Sequence, residues 1–377
     1  MSLLAYLYTL FLIPIVITVP VTPLNNITVP LDIGCPFLKP RTTPAKSVHD
    51  LRPDDIKIIA GLGDSVMAAF AAKGIQGQFI NIKNLYENRG VSFSIGGDPN
   101  TITMPNLINY YSHDLFGASV GDHLISICFG NEICPNGQYR DDIDVLNAAQ
   151  SGARSLNLDH QTNYLFDRLD EEYKIGRVKP TDWKLITIFI GSNDICHSCT
   201  EPTSLPLPFG ANVWSTVETL RKSMTNTLVQ IIGLMRVQDI VISTSNYTNY
   251  CQPIKGSSFI GHDHECECSH STANLTIMNQ NFPAYNQALQ QVVAHYKEPN
   301  DTFAVIYQPL LVDIMSFPIQ AISNIDCFHP STLAHAWFSK ILWRMLFLPS
   351  SEKNSTYKYN ADEIIYCPNE DDRIQTT

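Results

Sequence analysis

The chain has 377 residues, 44% of them hydrophobic, and a formal net charge of −11. That length allows one large domain or two ordinary ones, and the apolar share is ample for a packed core. The composition excludes disordered, collagen-like and low-complexity classes. The acidic balance argues against nucleic acid and strongly anionic membranes as partners, while neutral or zwitterionic lipid stays open.

Leu3 to Val21 is almost wholly apolar, and no charged side chain precedes Asp32. Residues 1–21 therefore predict a secretory signal, with an uncleaved N-terminal anchor as the alternative. Pro14 and Pro20 argue against a buried core helix there. Residues 22–50 are proline-rich and read as a surface leader. Asn-x-Ser/Thr sequons at Asn26, Asn246, Asn274, Asn300 and Asn354 support an exported, glycosylated chain. Ten cysteines point the same way. Cys196-x-x-Cys199 and the cluster of His262, His264, Cys266, Cys268 and His270 also permit a zinc or redox reading. Structural disulfides in an oxidising compartment are the favoured expectation, with Cys128 and Cys134 closing a small loop.

Ile56 to Ala60 is a buried-strand pattern that breaks at Gly61 and Gly63 to deliver Asp64 and Ser65. Val66 to Ala72 predicts a helix, which would set Ser65 at a helix N-terminus. Residues 74–123 are loop-rich, with a turn at Gly96-Gly97-Asp98-Pro99 and a short helix from Met104 to Tyr111. Asp144 to Ala149 predicts a second strand running into Gly152. A helix from Leu158 to Tyr173 follows, then a strand from Trp183 to Ile190 that ends at Gly191-Ser192-Asn193-Asp194. A helix is predicted over Val213 to Leu234, a strand over Asp239 to Ser243, and a Cys/His-rich loop over residues 246–271. A helix over Ile277 to Tyr296 and a strand over Thr302 to Gln308 come next. Asp326-Cys327-Phe328-His329-Pro330 leads into a last helix, Ser331 to Phe347. Residues 51–349 form the folded domain in this reading, and residues 350–377 a polar C-terminal tail.

Alternating strands and helices predict an α/β fold, a three-layer αβα sandwich of flavodoxin-like type around a mostly parallel sheet. In such folds ligands bind at the edge where the strands end. Ser65, Gly152 and Asn193 fall at or just past such ends, and His329 in a late loop. A serine hydroxyl needs a base to take its proton, an acid to orient that base, and donors for the oxyanion. His329 fits the base and Asp326, three residues earlier, the orienting acid. Asn193 offers a side-chain amide and Gly152 an unobstructed backbone N–H. Each has a bland reading alone: a helix cap, a solvated turn or a packing glycine. Their joint occurrence in this order carries the weight. The Gly-x-Ser-x-Gly elbow is absent, because Val66-Met67 follows Ser65, and so are the phosphate-loop and His-Glu-x-x-His motifs.

Gly63-Asp64-Ser65, the Gly152 block beginning at Asn147, Gly191 to Asp194 and Asp326 to His329 resemble the four blocks of the GDSL (SGNH) hydrolases. Val66 replaces the usual leucine. The stretches Arg89 to Asp98, Thr103 to Asn106, Ile188 to Cys196 and Asp326 to Ser331 are similar to the phospholipase B branch. The resemblance covers roughly residues 50–347. It implies Ser65 as nucleophile, His329 as general base and then acid, and Asp326 as its orienter. It further implies an oxyanion hole of Ser65 N–H, Gly152 N–H and Asn193, and ester hydrolysis through an acyl-enzyme without metal or other cofactor. The branch implies a phospholipid or lysophospholipid substrate at a lipid–water interface. Members of mammalian type carry tandem repeats and a C-terminal membrane segment. With one unit and no apolar C-terminal segment in view, secretion is expected unless the N-terminal run is retained. The alternatives are an esterase acting on small or carbohydrate esters and a catalytically inactive lipid-binding relative. No feature points to an obligate protein partner.

Overall fold

The computed structural model describes residues 33–75, 81–130, 133–135, 137–251, 265–298 and 300–376. The predicted signal or anchor, the first part of the leader (residues 22–32), Asn26, His262 and His264 lie outside these residues. Four strands form the central sheet: β1 (Ile56–Gly63), β2 (Trp183–Phe189), β3 (Thr227–Ile232) and β4 (Phe303–Gln308). They are all parallel and lie in the order β1-β2-β3-β4. Ile59 pairs with Leu185, Leu185 with Leu228, and Val229 with Val305. Consecutive residues of β2 and β3 are buried, so both sheet faces are covered.

The expected second strand is only a fragment. On the free side of β1, Ile59 N–H donates to Phe116 O (2.9 Å), Gly61 N–H to Leu146 O (3.0 Å) and Ala148 N–H to Gly61 O (2.8 Å). Single parallel bridges, Ile58 to Phe116 and Gly61 to Asn147, replace a continuous strand. Asp141–Asp144 is a helical turn, and Val145 has a φ of 52°, so the chain joins β1 only from Leu146 onward. With this fragment beside β1, the order is the doubly wound one in which the first strand is flanked by the second and third.

Among the described residues, the helices of six or more residues are α1 (Met104–Asn109), α2 (Leu158–Lys174), α3 (Ser192–His197), α4 (Pro206–Ser223), α5 (Val237–Thr244), α6 (Thr272–Ala294) and α7 (Thr332–Met345). Helix α4 packs between α2 and α6, while α1 packs on α7. Among the described residues no helix is long and apolar enough to cross a membrane.

Three further sequence expectations differ from the structure. Val66 to Ala72 forms successive turns, not a helix. Its backbone bonds to a neighbouring segment instead: Ala71 N–H donates to Tyr86 O and Asn88 N–H to Ala69 O. Ala69 and Ala71 take φ values of 55° and 56°, outside the helical region. The helix predicted from Val213 to Leu234 stops at Ser223. Asn226 turns the chain with φ 52°, and the buried run Thr227–Ile232 becomes β3. Asp239 to Ser243 is helical, within α5. Val237, Ile240 and Thr244 are buried at three- and four-residue spacing while Ile242 is 52% exposed, the one-sided pattern of a helix.

All ten cysteines are paired: Cys35–Cys367, Cys128–Cys134, Cys196–Cys266, Cys199–Cys268 and Cys251–Cys327. No cysteine is thus a free thiolate for zinc, and Cys196 and Cys199 are bonded to Cys266 and Cys268 and not to each other. The C-terminal residues are tied to the body through Cys35–Cys367, the parallel pairing of Val312–Asp313 with Tyr357–Lys358, and the buried Ile374.

Leu185 has no exposed surface at the centre of β2. Leu185→Ala is expected to lower stability by about 2–5 kcal/mol through lost burial and the cavity left behind. The shift in urea midpoint at unchanged slope measures it.

Candidate active site

The site begins at the end of β1, where the chain must turn hard against β2. A Cβ on Gly63 would sit 2.4 Å from the Phe189 carbonyl oxygen and 2.7 Å from the Met67 Cβ. Only glycine fits there, and the next two residues are Asp64 and Ser65. The Gln161 side chain, from α2, grips the same glycine: its Nε2 donates to Gly63 O (2.7 Å), and Gly63 N–H donates to its Oε1 (2.8 Å).

Ser65 Oγ lies 2.7 Å from His329 Nε2, although the two residues are 264 positions apart. His329 Nδ1 lies 2.7 Å from Asp326 Oδ2. Asp326 Oδ1 accepts the backbone N–H groups of Phe328 (2.9 Å) and His329 (3.0 Å). A carboxylate that receives these donors fixes the tautomer: Nδ1 carries the proton and donates to Asp326, and Nε2 accepts from the Ser65 hydroxyl. Ser65, Asp326 and His329 are all buried. Phe70 packs edge-on against the imidazole at 5.1 Å and Phe328 at 5.3 Å. Cys327, in the middle of this turn, has φ 53° and is tied by its disulfide to Cys251.

Burial works against the imidazolium, but the Asp326 carboxylate and its hydrogen bond outweigh it, with Glu265 and Asp64 adding to the effect. The His329 imidazole is raised to about 9. Burial also opposes the Asp326 anion, and the facing His329 overcomes that, so Asp326 is held below its ordinary value.

Gly152 follows the β1 fragment with φ 81°, a left-handed conformation that a side chain resists. Asn193 stands in the first turn of α3, and its Nδ2 donates to Ala153 O at 2.9 Å. Its second amide hydrogen stays available. Among the described residues neither Ser65 N–H nor Gly152 N–H has an acceptor. The geometry thus offers a nucleophile–base–acid chain with N–H donors carried on the adjoining turns.

Four buried acids and amides that the sequence reading gave no role hold these pieces. Asp64 accepts from Val66 N–H (3.0 Å) and from Ser192 N–H (3.2 Å), so it ties the serine turn to α3. Burial raises its carboxyl above the usual range. Asp194 accepts from Ser155 N–H (2.9 Å) and Ser155 Oγ (2.8 Å), which ties α3 to the Gly152 turn. Burial raises Asp194 to about 6. Glu87 Oε1 accepts from Ser151 N–H (3.0 Å) and Oγ (2.6 Å), while its Oε2 pairs with Arg89 at 2.7 Å. Arg89 also meets Asp144 at 3.1 Å, and His123 meets Asp144 at 3.0 Å. Gln161 is the fourth. Asp64 and Asp194 stood inside the quoted blocks; Glu87 and Gln161 carried no sequence signal, since their partners are distant in the chain.

A narrow apolar crevice of about 20 Å³ lies beside the serine turn, reaching from Val66 to Ser192. Its walls include Val66, Phe189, Leu234, Met235, Phe328 and Pro330. Of the sequon asparagines, Asn246, Asn300 and Asn354 are exposed and Asn274 is half-buried.

Residues 59–342 match the family model for GDSL-like lipase/acylhydrolase. The chain is 27% identical over 354 residues to human "Phospholipase B1, membrane-associated", covering 90% of this chain and 23% of that protein. The mouse protein of the same name is 26% identical over 354 residues, with 89% and 22% covered. The chain therefore spans less than a quarter of the length of these curated relatives. An extracellular lipase from Streptomyces rimosus, known from its crystal structure, is 13% identical, with 74% of this chain and 94% of that one covered at a TM-score of 0.33.

Glu87→Ala would strand the buried Arg89 with one partner fewer and release Ser151. The expected cost is about 3–5 kcal/mol, the range for breaking a buried ion pair from one side. Chemical unfolding of the variant measures it.

Proposed function

Since the chain belongs to the GDSL-like lipase/acylhydrolase family, we propose that it is a secreted serine esterase removing fatty acyl groups from glycerophospholipids and lysophospholipids. The observation that carries the reading is the unbroken hydrogen-bond chain Ser65–His329–Asp326. In the first step Ser65 Oγ attacks the ester carbonyl carbon and His329 Nε2 takes the hydroxyl proton. The imidazolium is held against Asp326. The carbonyl oxygen gains negative charge and takes hydrogen bonds from Ser65 N–H, Gly152 N–H and the Asn193 amide. Collapse breaks the ester C–O bond, and His329 gives its proton to the departing alcohol. Water, deprotonated by His329, then releases the fatty acid and restores Ser65.

The likeness to membrane-associated phospholipase B1 supports a phospholipid or lysophospholipid substrate. A second reading, hydrolysis of short-chain or carbohydrate esters, rests on the same Ser65–His329–Asp326 chain, which sets the reaction and not the substrate. Mixed micelles of phosphatidylcholine and lysophosphatidylcholine, assayed beside a soluble short-chain ester, separate the two. Turnover of the soluble ester alone rejects the phospholipase reading. Complete pairing of the cysteines and exposed sequons at Asn246, Asn300 and Asn354 support an extracellular, glycosylated protein.

Ser65→Ala is expected to abolish both hydrolysis and covalent labelling by a fluorophosphonate. A folded wild-type protein that does not label would overturn the assignment. Asn193→Ala is expected to lower kcat by about 10²–10³ with a much smaller change in KM, the signature of a lost oxyanion donor. The active base is the neutral imidazole, and its raised pKa keeps the proton on until about 9. Activity is therefore expected to rise with pH across the neutral range and to fall as pH drops below about 9. A kcat/KM profile that is flat on its acid side contradicts this.

A further inference from the structure

One acid beside the base is used by no step above. Glu265 directly precedes Cys266. Its carboxylate oxygen, a carboxylate oxygen of Asp326 and a ring nitrogen of His329 all lie within 4.8 Å of one another. Its position is fixed from a distant part of the chain. Cys266 is bonded to Cys196 and Cys268 to Cys199, so two disulfides clamp residues 266–268 onto α3 and the residues just after it. The same α3 carries Asn193.

We propose that Glu265 is a positioning residue for the general base: pinned beside the Asp326–His329 pair by the Cys196–Cys266 disulfide, its carboxylate stabilises the imidazolium that forms when Ser65 gives up its proton. This rests on reading Ser65, His329 and Asp326 as the catalytic set.

Two features favour this role over that of a spare surface acid. Asp326 already spends Oδ2 on His329 Nδ1 and Oδ1 on two backbone N–H groups, so it cannot move toward the ring as charge develops. A second anion within 4–6 Å of an imidazole favours its charged form, by about 1–3 pKa units for such neighbours. Glu265 is also charged when it is needed. Burial raises its carboxyl to about 7, below the value of about 9 at which His329 changes state. The other groups facing the ring are Asp326 on its own turn and Asp64 at the end of β1. His335, on α7, feels the ring charge but is itself pushed down to about 3 by burial and stays neutral. Glu265 is thus the acid outside the quoted sequence blocks that acts on the base.

The test compares wild type, Glu265→Gln and Glu265→Asp by the rate of fluorophosphonate labelling of Ser65 as a function of pH, with the thermal unfolding of each recorded. Glu265→Gln keeps the shape and removes the charge. Its acid limb is expected to move to lower pH by about one unit or more. Glu265→Asp, which keeps the charge, is expected to retain most of the wild-type limb. The Nδ1–H proton resonance of His329, titrated in the Ser65→Ala background, should shift its midpoint in the same direction without reference to catalysis. A Glu265→Gln limb and midpoint that coincide with wild type overturn the proposal, whether or not the labelling rate falls. Failure of folded wild type to label is a different result and removes the catalytic reading beneath it.

Discussion

Everything at the site depends on one short contact, the 2.7 Å between Ser65 Oγ and His329 Nε2. It joins the end of the first strand to a turn near the other end of the chain. A proton moves between them only if both backbones are held to a fraction of an ångström. The fold meets that demand by fixing each partner separately. Gly63 and the Gln161 side chain fix the serine turn. The Asp326 carboxylate, two backbone N–H groups and the Cys251–Cys327 bond fix the histidine turn.

The oxyanion side is built by the same means. Asp64, Asp194 and Glu87 are buried acids whose oxygens receive backbone N–H groups of neighbouring site loops. A buried carboxylate is costly unless its lone pairs are filled, so each loop is held where it fills them. The acids also share out protonation. Asp326, bonded to the His329 ring, is pulled down, while burial outweighs the favourable contacts of Asp64 and Asp194 and pushes both up.

Much of this frame was legible in the chain. Ile56 to Gly63, Trp183 to Phe189 and Phe303 to Gln308 announce themselves as apolar runs bounded by turn residues, and Leu158–Lys174 and Thr332–Met345 as periodic helices. Placement of Ser65, Gly152 and Asn193 at strand ends followed from that alternation. Three stretches misled because local pattern lost to tertiary pairing. Ala68, Ala69, Ala71 and Ala72 have high helix propensity, but the backbone here bonds outward to Tyr86 and Asn88. Ile240-Val241-Ile242 looks like a strand and buries only one side. Leu228 to Ile232 continues an apolar pattern that helix α4 had begun, and only Asn226 marks the break. Glu87, Gln161 and Glu265 could not be found this way, since a polar residue's importance lies in a partner that sequence does not display.

The crevice beside the serine turn has a further meaning. At about 20 Å³ it holds roughly one water molecule, so as it stands it admits a methyl-sized group and no more. A longer chain entering it would have to spread walls made by Leu234 and Met235, between β3 and α5, and by Val237 and Ile240 on α5 itself. Met235 is the most pliant of these side chains. Selectivity for chain length would then be set by how far this short hinge between sheet and helix can breathe, and not by the fixed frame that holds the reacting oxygen.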